Sequence, residues 1–195
     1  MGAAMNYDGS WVEVDLKKLC GNAEAIRSSL GGAELMVVIK SDAYGHGLEA
    51  VAAALGRAGV ARFAVAYAAE AAAVRAAAPE AKLVLVLGAA RPADVPKMLR
   101  DRITPVAVSA EHARALSDAA VAAGGRLGVH VKLDTGMGRL GFVCPAELEQ
   151  AAGVAGLLSG QVGPGLRQLR HHQRQDDEAR EAADHEHRLP PEPAD

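Results

Sequence analysis

The sequence predicts an α/β protein built on a parallel sheet, and three observations carry that reading. Short apolar runs begin at Leu35, Arg62, Lys82, Ile103 and Gly128, so a strand recurs every 20 to 27 residues. The stretches between them space their apolar residues as one face of a helix does; Leu48, Val51, Ala52 and Leu55 fall at i, i+3, i+4 and i+7. Each connection is long enough for a crossover helix, which parallel strands require and hairpins do not. A doubly wound sheet and a closed barrel both follow from this alternation.

In chain order, residues 11–14 read as a short strand. Asp15 suits a helix N-cap, and Leu16, Leu19, Ala23, Ile26 and Leu30 form an amphipathic stripe that Gly31-Gly32 closes. Strands are expected at 35–39, 62–66, 82–87, 103–108 and 128–133, and helices at 48–56, 68–77, 92–100 and 110–123. Pro92 fits a first helical turn, Ser109 an N-cap, and Gly124-Gly125 a helix end. A sixth helix is expected at 146–158.

Composition narrows the class. Half of the 195 residues are hydrophobic but only 3% aromatic, so Ala, Val and Leu build the core. A net charge of −3 gives no reason to expect nucleic acid or an anionic membrane as partner. Cys20 and Cys144 make no disulfide framework, which points to a reducing cytoplasm. Met1 to Ser10 has no apolar leader-like core and reads as a flexible N-terminus. Residues 11–160 read as one folded unit, interrupted by the turn-rich Gln161-Val162-Gly163-Pro164-Gly165. The charged, proline-bearing stretch 161–195 holds too few large aliphatics to offset ordering and is expected to be disordered. Four histidines sit there, His171, His172, His185 and His187; with no cysteine and no rigid frame they read as a solvated tail, not a metal site.

The chemistry is expected at Val37-Val38-Ile39-Lys40-Ser41-Asp42-Ala43-Tyr44-Gly45-His46-Gly47. A lysine here leaves a buried strand at the mouth where parallel α/β folds place their sites. Partly desolvated, such an ammonium deprotonates more readily, and the neutral amine can add to an aldehyde. Tyr44 offers a hydroxyl, and Gly45 and Gly47 let backbone approach a ligand at a helix start. A strand-end lysine also simply snorkels into water, so position alone does not choose. Likewise Lys132 and Asp134 could form a plain salt bridge, and Arg139, in a glycine-rich turn, could be merely solvated.

The residues themselves are more specific. Val38-Ile39-Lys40-Ser41-Asp42-Ala43-Tyr44-Gly45-His46-Gly47 resembles the pyridoxal-phosphate attachment motif of alanine racemases. His130-Val131-Lys132-Leu133-Asp134-Thr135-Gly136-Met137-Gly138-Arg139-Leu140-Gly141-Phe142 resembles a second hallmark of that family. The resemblance runs from about Trp11 to Val154 and implies a (β/α)8 TIM-type barrel, here incomplete at about five βα units, since a full one needs about 250 residues. It implies pyridoxal 5'-phosphate as cofactor, carried covalently by Lys40, which is also one of two bases moving the α-proton of alanine. Tyr44 would contact the cofactor phosphate. Arg139 would donate to the cofactor's phenolic oxygen or to substrate, and Lys132, carbamylated in some members, would steady Arg139.

Family members are homodimers and supply D-alanine for peptidoglycan. Their second base is a tyrosine of a C-terminal β-domain, presented across the dimer interface. The tyrosines here are Tyr7, Tyr44 and Tyr67, so the expectation is a truncated copy lacking that base, with a reading frame broken near residue 160. A non-enzymatic pyridoxal-phosphate barrel protein and an inactive remnant are the alternatives.

Overall fold

The computed structural model describes residues 12–143. Five strands form one parallel sheet: β1 (Met36–Val38), β2 (Arg62–Val65), β3 (Leu83–Ala89), β4 (Thr104–Ala107) and β5 (His130–Val131). Their spatial order is β1-β2-β3-β4-β5, the order of the chain. A doubly wound sheet reverses its strand order at a switch point; this one never does, so it is the arc of a singly wound barrel. The helices are α1 (Leu16–Ser29), α3 (Leu48–Arg57), α4 (Ala68–Ala77), α5 (Val95–Arg100, entered through a 3-10 turn at Pro92–Asp94) and α6 (Ala110–Ala122); α2 (Lys40–Gly45) is a turn of a different kind, described below.

The first and last of these helices begin where a short polar side chain satisfies their free amides. Asp15 accepts from the amides of Lys17 and Lys18 at 3.0 Å each, and the Ser109 hydroxyl accepts from His112 N–H at 3.1 Å. Gly31, Gly32 and Gly124 take positive φ after their helices, where a side chain would be strained. The strand expected at 11–14 does not form over its described part. Val12 is 78% exposed and no strand lies beside it, so its alternation finds no edge to pair with.

The described helices pack against one face of the sheet. Leu48, Val51 and Leu55 of α3, Val74 of α4, Met98 of α5 and Leu116 of α6 pack with Phe63, Val65, Val84 and Val86 in one cluster. The opposite face has its own, smaller cluster of Ala64, Leu85 and Val106, against which Met36, Leu83, Leu87 and Val108 pack. Two apolar faces explain why the strands read as continuous apolar runs. Pro105 in β4 has no amide to give to β3, and the β3 register slips there, Val86 facing Pro105 and Ala89 facing Val106. At the slip, Gly88 comes so close to β2 that a Cβ would lie 2.6 Å from Ala66 O.

Arg75 ties the far end of the sheet. Its guanidinium donates to the carbonyls of Asp101 (3.0 Å), Pro79 (3.2 Å), Ala81 (2.6 Å) and Arg102 (2.9 Å). Burial, then the charge of Arg102, pull its pKa down, with Asp101 opposing. Arg75→Ala leaves four carbonyls to find water, and is expected to lower stability by about 2–4 kcal/mol in urea unfolding.

His130 lies opposite Val106, on the inner face. The side chain is exposed on this edge strand, yet partial desolvation by the surrounding chain, and secondarily the charge of Arg62, pull its pKa below the ordinary value of 6.5. The unfolded chain therefore takes up this proton first, and the folded state loses stability as pH falls through 6.5 toward the lower folded value. His130→Gln is expected to flatten that part of a stability-against-pH curve.

Candidate active site

The parallel strands deliver their C-terminal ends to one rim, and every residue singled out in the two motifs emerges there. Lys40 leaves β1 two residues after Val38, and the chain then does something unusual. Ser41, Asp42, Ala43 and Tyr44 all have left-handed backbone, with φ of 54, 54, 53 and 56°. None is glycine, and L-residues resist this conformation by about 1–2 kcal/mol each, so the turn stores several kcal/mol. Strain of this kind persists only where the surroundings over-determine it.

Three contacts do so. Ala43 is buried in the main core beside Ile39. The Asp42 carboxylate reaches forward to accept from Leu48 N–H at 2.7 Å, capping α3 from six residues upstream. The Glu70 carboxylate, arriving from α4, accepts from Ser41 N–H at 2.6 Å. His46 also folds back onto the turn, its Nδ1 2.8 Å from Ala43 O. The result turns Tyr44 outward, 59% exposed, with Lys40 partly buried at the strand exit.

The second block builds a loop after β5. Asp134 gathers it: Oδ1 accepts from Gly136 and Gly138 N–H at 3.0 Å each, and Oδ2 from Arg139 N–H at 2.7 Å. These amides hold the Asp134 carboxyl below its ordinary pKa. Lys132 Nζ donates to Leu140 O at 2.8 Å, closing the loop from the strand side. The salt bridge between Lys132 and Asp134 left open by the sequence is not formed: each spends its polar atoms on loop backbone. Lys132 thus holds the carbonyl of the residue after Arg139, and not the Arg139 guanidinium itself.

Asp134→Ala is expected to release the amides of Gly136, Gly138 and Arg139 to rapid hydrogen exchange. The same bonds make a pH prediction. A carboxyl with a depressed folded-state pKa contributes above the ordinary carboxylate range and loses that contribution as pH falls through the lower folded value. Acid below that range should therefore loosen this loop selectively in the unmutated protein.

Among the described residues, neither the Lys40 amine nor the Arg139 guanidinium has a hydrogen-bond or ionic partner. Two cationic groups are thus presented uncommitted at one rim. Two contributors were missed by sequence reasoning. Glu70 lies 29 residues from the amide it holds, and no local pattern signals that contact. His112 accepts from Val108 N–H at 3.4 Å, which leaves Nε2–H to donate to Ala90 O at 2.8 Å and joins two rim loops. A separate cleft of about 380 Å³ runs between α1 and β1, walled by Leu19, Ala23, Ile26, Leu35 and Val37. It reaches Tyr44 and His46, but Lys40 and Arg139 do not line it.

A parallel sheet whose strands keep chain order, with the two motif loops at its C-terminal rim, defines a class: β/α-barrel proteins, which carry their sites at that rim. Comparison with known proteins narrows it. The alanine racemase N-terminal domain matches residues 14–188, past Val154 where the motif resemblance stops, and the chain belongs to that family. The alanine racemase of Syntrophobacter fumaroxidans is 43% identical over 136 residues, covering 69% of this chain and 36% of its own. Among solved structures, alanine racemase from Clostridium difficile 630 superimposes with a TM-score of 0.73 at 26% identity, over 91% of this chain and 51% of its own. The Bartonella henselae alanine racemase, solved with covalently bound pyridoxal phosphate, gives a TM-score of 0.64 at 25% identity, over 70% of this chain and 40% of its own. The chain spans little more than a third of the length of the curated relatives it matches.

No described helix is long and apolar enough to cross a membrane. The sixth helix expected at 146–158, the stretch 161–195 with its histidines, Cys144 and the N-terminal ten residues lie outside the described residues.

Proposed function

We propose that this chain carries the pyridoxal-phosphate half of an alanine racemase site, interconverting L- and D-alanine in the cytoplasm, with D-alanine destined for peptidoglycan. The observation that carries the reading is Lys40: an amine with no partner among the described residues, at the exit of a barrel strand, followed by a turn held in a strained shape. The residues present fit the cofactor. An amine can take its aldehyde, a phenol lies four residues on at Tyr44, and the Arg139 guanidinium is uncommitted. When bound, pyridoxal phosphate supplies an electron sink that makes the α-hydrogen of an amino acid removable.

The chain's own residues then divide the work. Lys40 would hold the cofactor, and its amine, when free, would accept or return the α-proton on one face. Tyr44 donates its hydroxyl to the phosphate end. Arg139 donates to the phenolic oxygen or to the substrate carboxylate, where a cation favours the anionic form. Lys132 and Asp134 keep Arg139 in place through the loop backbone. Inversion needs a second base on the opposite face, which the reading assigns to a group from outside the described residues, in a homodimer to a partner subunit.

The test is to titrate purified chain with pyridoxal phosphate, follow the absorbance of lysine-bound cofactor, and assay D-alanine from L-alanine. Binding with turnover supports the racemase. Binding without turnover favours a second reading, a non-enzymatic cofactor carrier. No binding overturns both.

A further inference from the structure

We infer that Glu70 is a positioning residue for Lys40, acting through the amide of Ser41; the inference rests on the reading of Lys40 as the cofactor-holding lysine. Glu70 belongs to neither motif and touches no reacting group. It lies in the first turn of α4, after β2, and its carboxylate spans the gap to the loop after β1. Oε1 accepts from Ser41 N–H at 2.6 Å. Oε2 accepts from Ala66 N–H at 2.8 Å and Tyr67 N–H at 3.2 Å. Three backbone donors converge on two oxygens, and none of these contacts is with an acceptor.

That pattern calls for a side chain whose two end atoms both accept, as the two oxygens of Glu70 do. A protonated acid or an amide presents a donor at one end, against an N–H already there. Aspartate is one methylene short of the span. The bond to Ser41 matters because Ser41 is the first of four left-handed residues and is joined directly to Lys40. Left-handed backbone reverts to ordinary conformations unless held, and reversion at Ser41 would swing the Lys40 side chain away from the strand exit. Glu70 therefore couples the start of α4 to the aim of the lysine, through a contact that spans 29 residues.

Glu70→Gln, nearly the same shape, separates positioning from mere support. Capture of pyridoxal phosphate, read as borohydride-fixed adduct at increasing cofactor, should weaken about tenfold or more. In a Lys40→Ala background, adding Glu70→Gln should leave the residual non-covalent affinity unchanged, because the lysine through which Glu70 acts is gone. Equal weakening in both backgrounds would make Glu70 a general structural support and overturn the inference, as would undiminished capture by Glu70→Gln. Hydrogen exchange in the unmutated chain is independent of whether the variants fold. The Ser41 amide should be protected together with the first turn of α4, and free exchange at Ser41 beside protected α3 and α4 amides would also overturn it. Failure of the unmutated chain to capture cofactor would instead defeat the racemase reading, a distinguishable result.

Discussion

Lys40→Ala is expected to abolish the absorbance of lysine-bound pyridoxal phosphate and to lower any racemase turnover by about 10³-fold or more. The size follows from the two duties one amine performs. It tethers the cofactor, and it moves the α-proton, a role worth about 10²–10⁴-fold by itself. Lys40→Arg keeps the positive charge and should fail equally, because a guanidinium does not deprotonate near neutrality to act as nucleophile or base. Charge is thus separated from nucleophilicity. Neither variant should unfold the chain, since Lys40 belongs to no ion pair and its amine donates to no backbone group among the described residues. Thermal melts of both should overlay the unmutated one to within a few degrees.

The second large effect is expected away from any reacting group. Gly141 takes φ of +126°, and a Cβ there would lie 2.7 Å from Lys132 O, 2.8 Å from Asp134 N and 2.9 Å from the Leu133 carbonyl carbon. All three neighbours are backbone, so nothing flexible can yield. Gly141→Ala must push apart the segment that pairs Phe142 with Lys132 and Asp134, where Phe142 N–H donates to Lys132 O and Asp134 N–H to Phe142 O, both at 2.9 Å. A forbidden φ costs about 1–3 kcal/mol, and two disrupted hydrogen bonds add about 0.5–1.5 kcal/mol each. The expected loss is about 3–5 kcal/mol, a drop in Tm on the order of 10 °C. Arg139 would lose its place with the loop, so substrate affinity should fall even at temperatures where the chain stays folded. Gly138→Ala is the control: φ there is +69°, with nothing within 4 Å, and only about 1 kcal/mol is expected.

The two loops differ in how far the sequence exposed them. Strand positions were legible because β-branched and aliphatic runs must be buried on both faces; β2 begins at Arg62, and α4 spans Ala68–Ala77, where the apolar pattern placed them. Caps at Asp15 and Ser109 were legible because a short polar side chain before an apolar stripe has one good use. The choice between a doubly wound sheet and a barrel was not legible in the alternation, since both alternate strand and helix in the same rhythm; the resemblance of the two motifs chose the barrel. The unreversed strand order, a property of space, bears that choice out.

Within the site, the lysine and its glycines were legible, and the backbone that aims the lysine was not. Ser41, Asp42, Ala43 and Tyr44 carry no signal for left-handed conformation, which sequence marks through glycine or asparagine. They adopt it because Asp42 and Glu70 hold the turn, one contact reaching six residues forward and the other 29. Asp134 looked like a partner for Lys132 because opposite charges two residues apart invite that reading. The loop offered it three amides instead, and a carboxylate ringed by N–H groups has little need of an ammonium.

Peptide mapping after borohydride reduction reads out which amine takes the cofactor. The chain has six lysines: Lys17, Lys18, Lys40, Lys82, Lys97 and Lys132. With pyridoxal phosphate near stoichiometric, the reduced adduct is expected on Lys40, with the other five unmodified. An adduct spread evenly over the exposed lysines, or one that spares Lys40, would contradict this assignment.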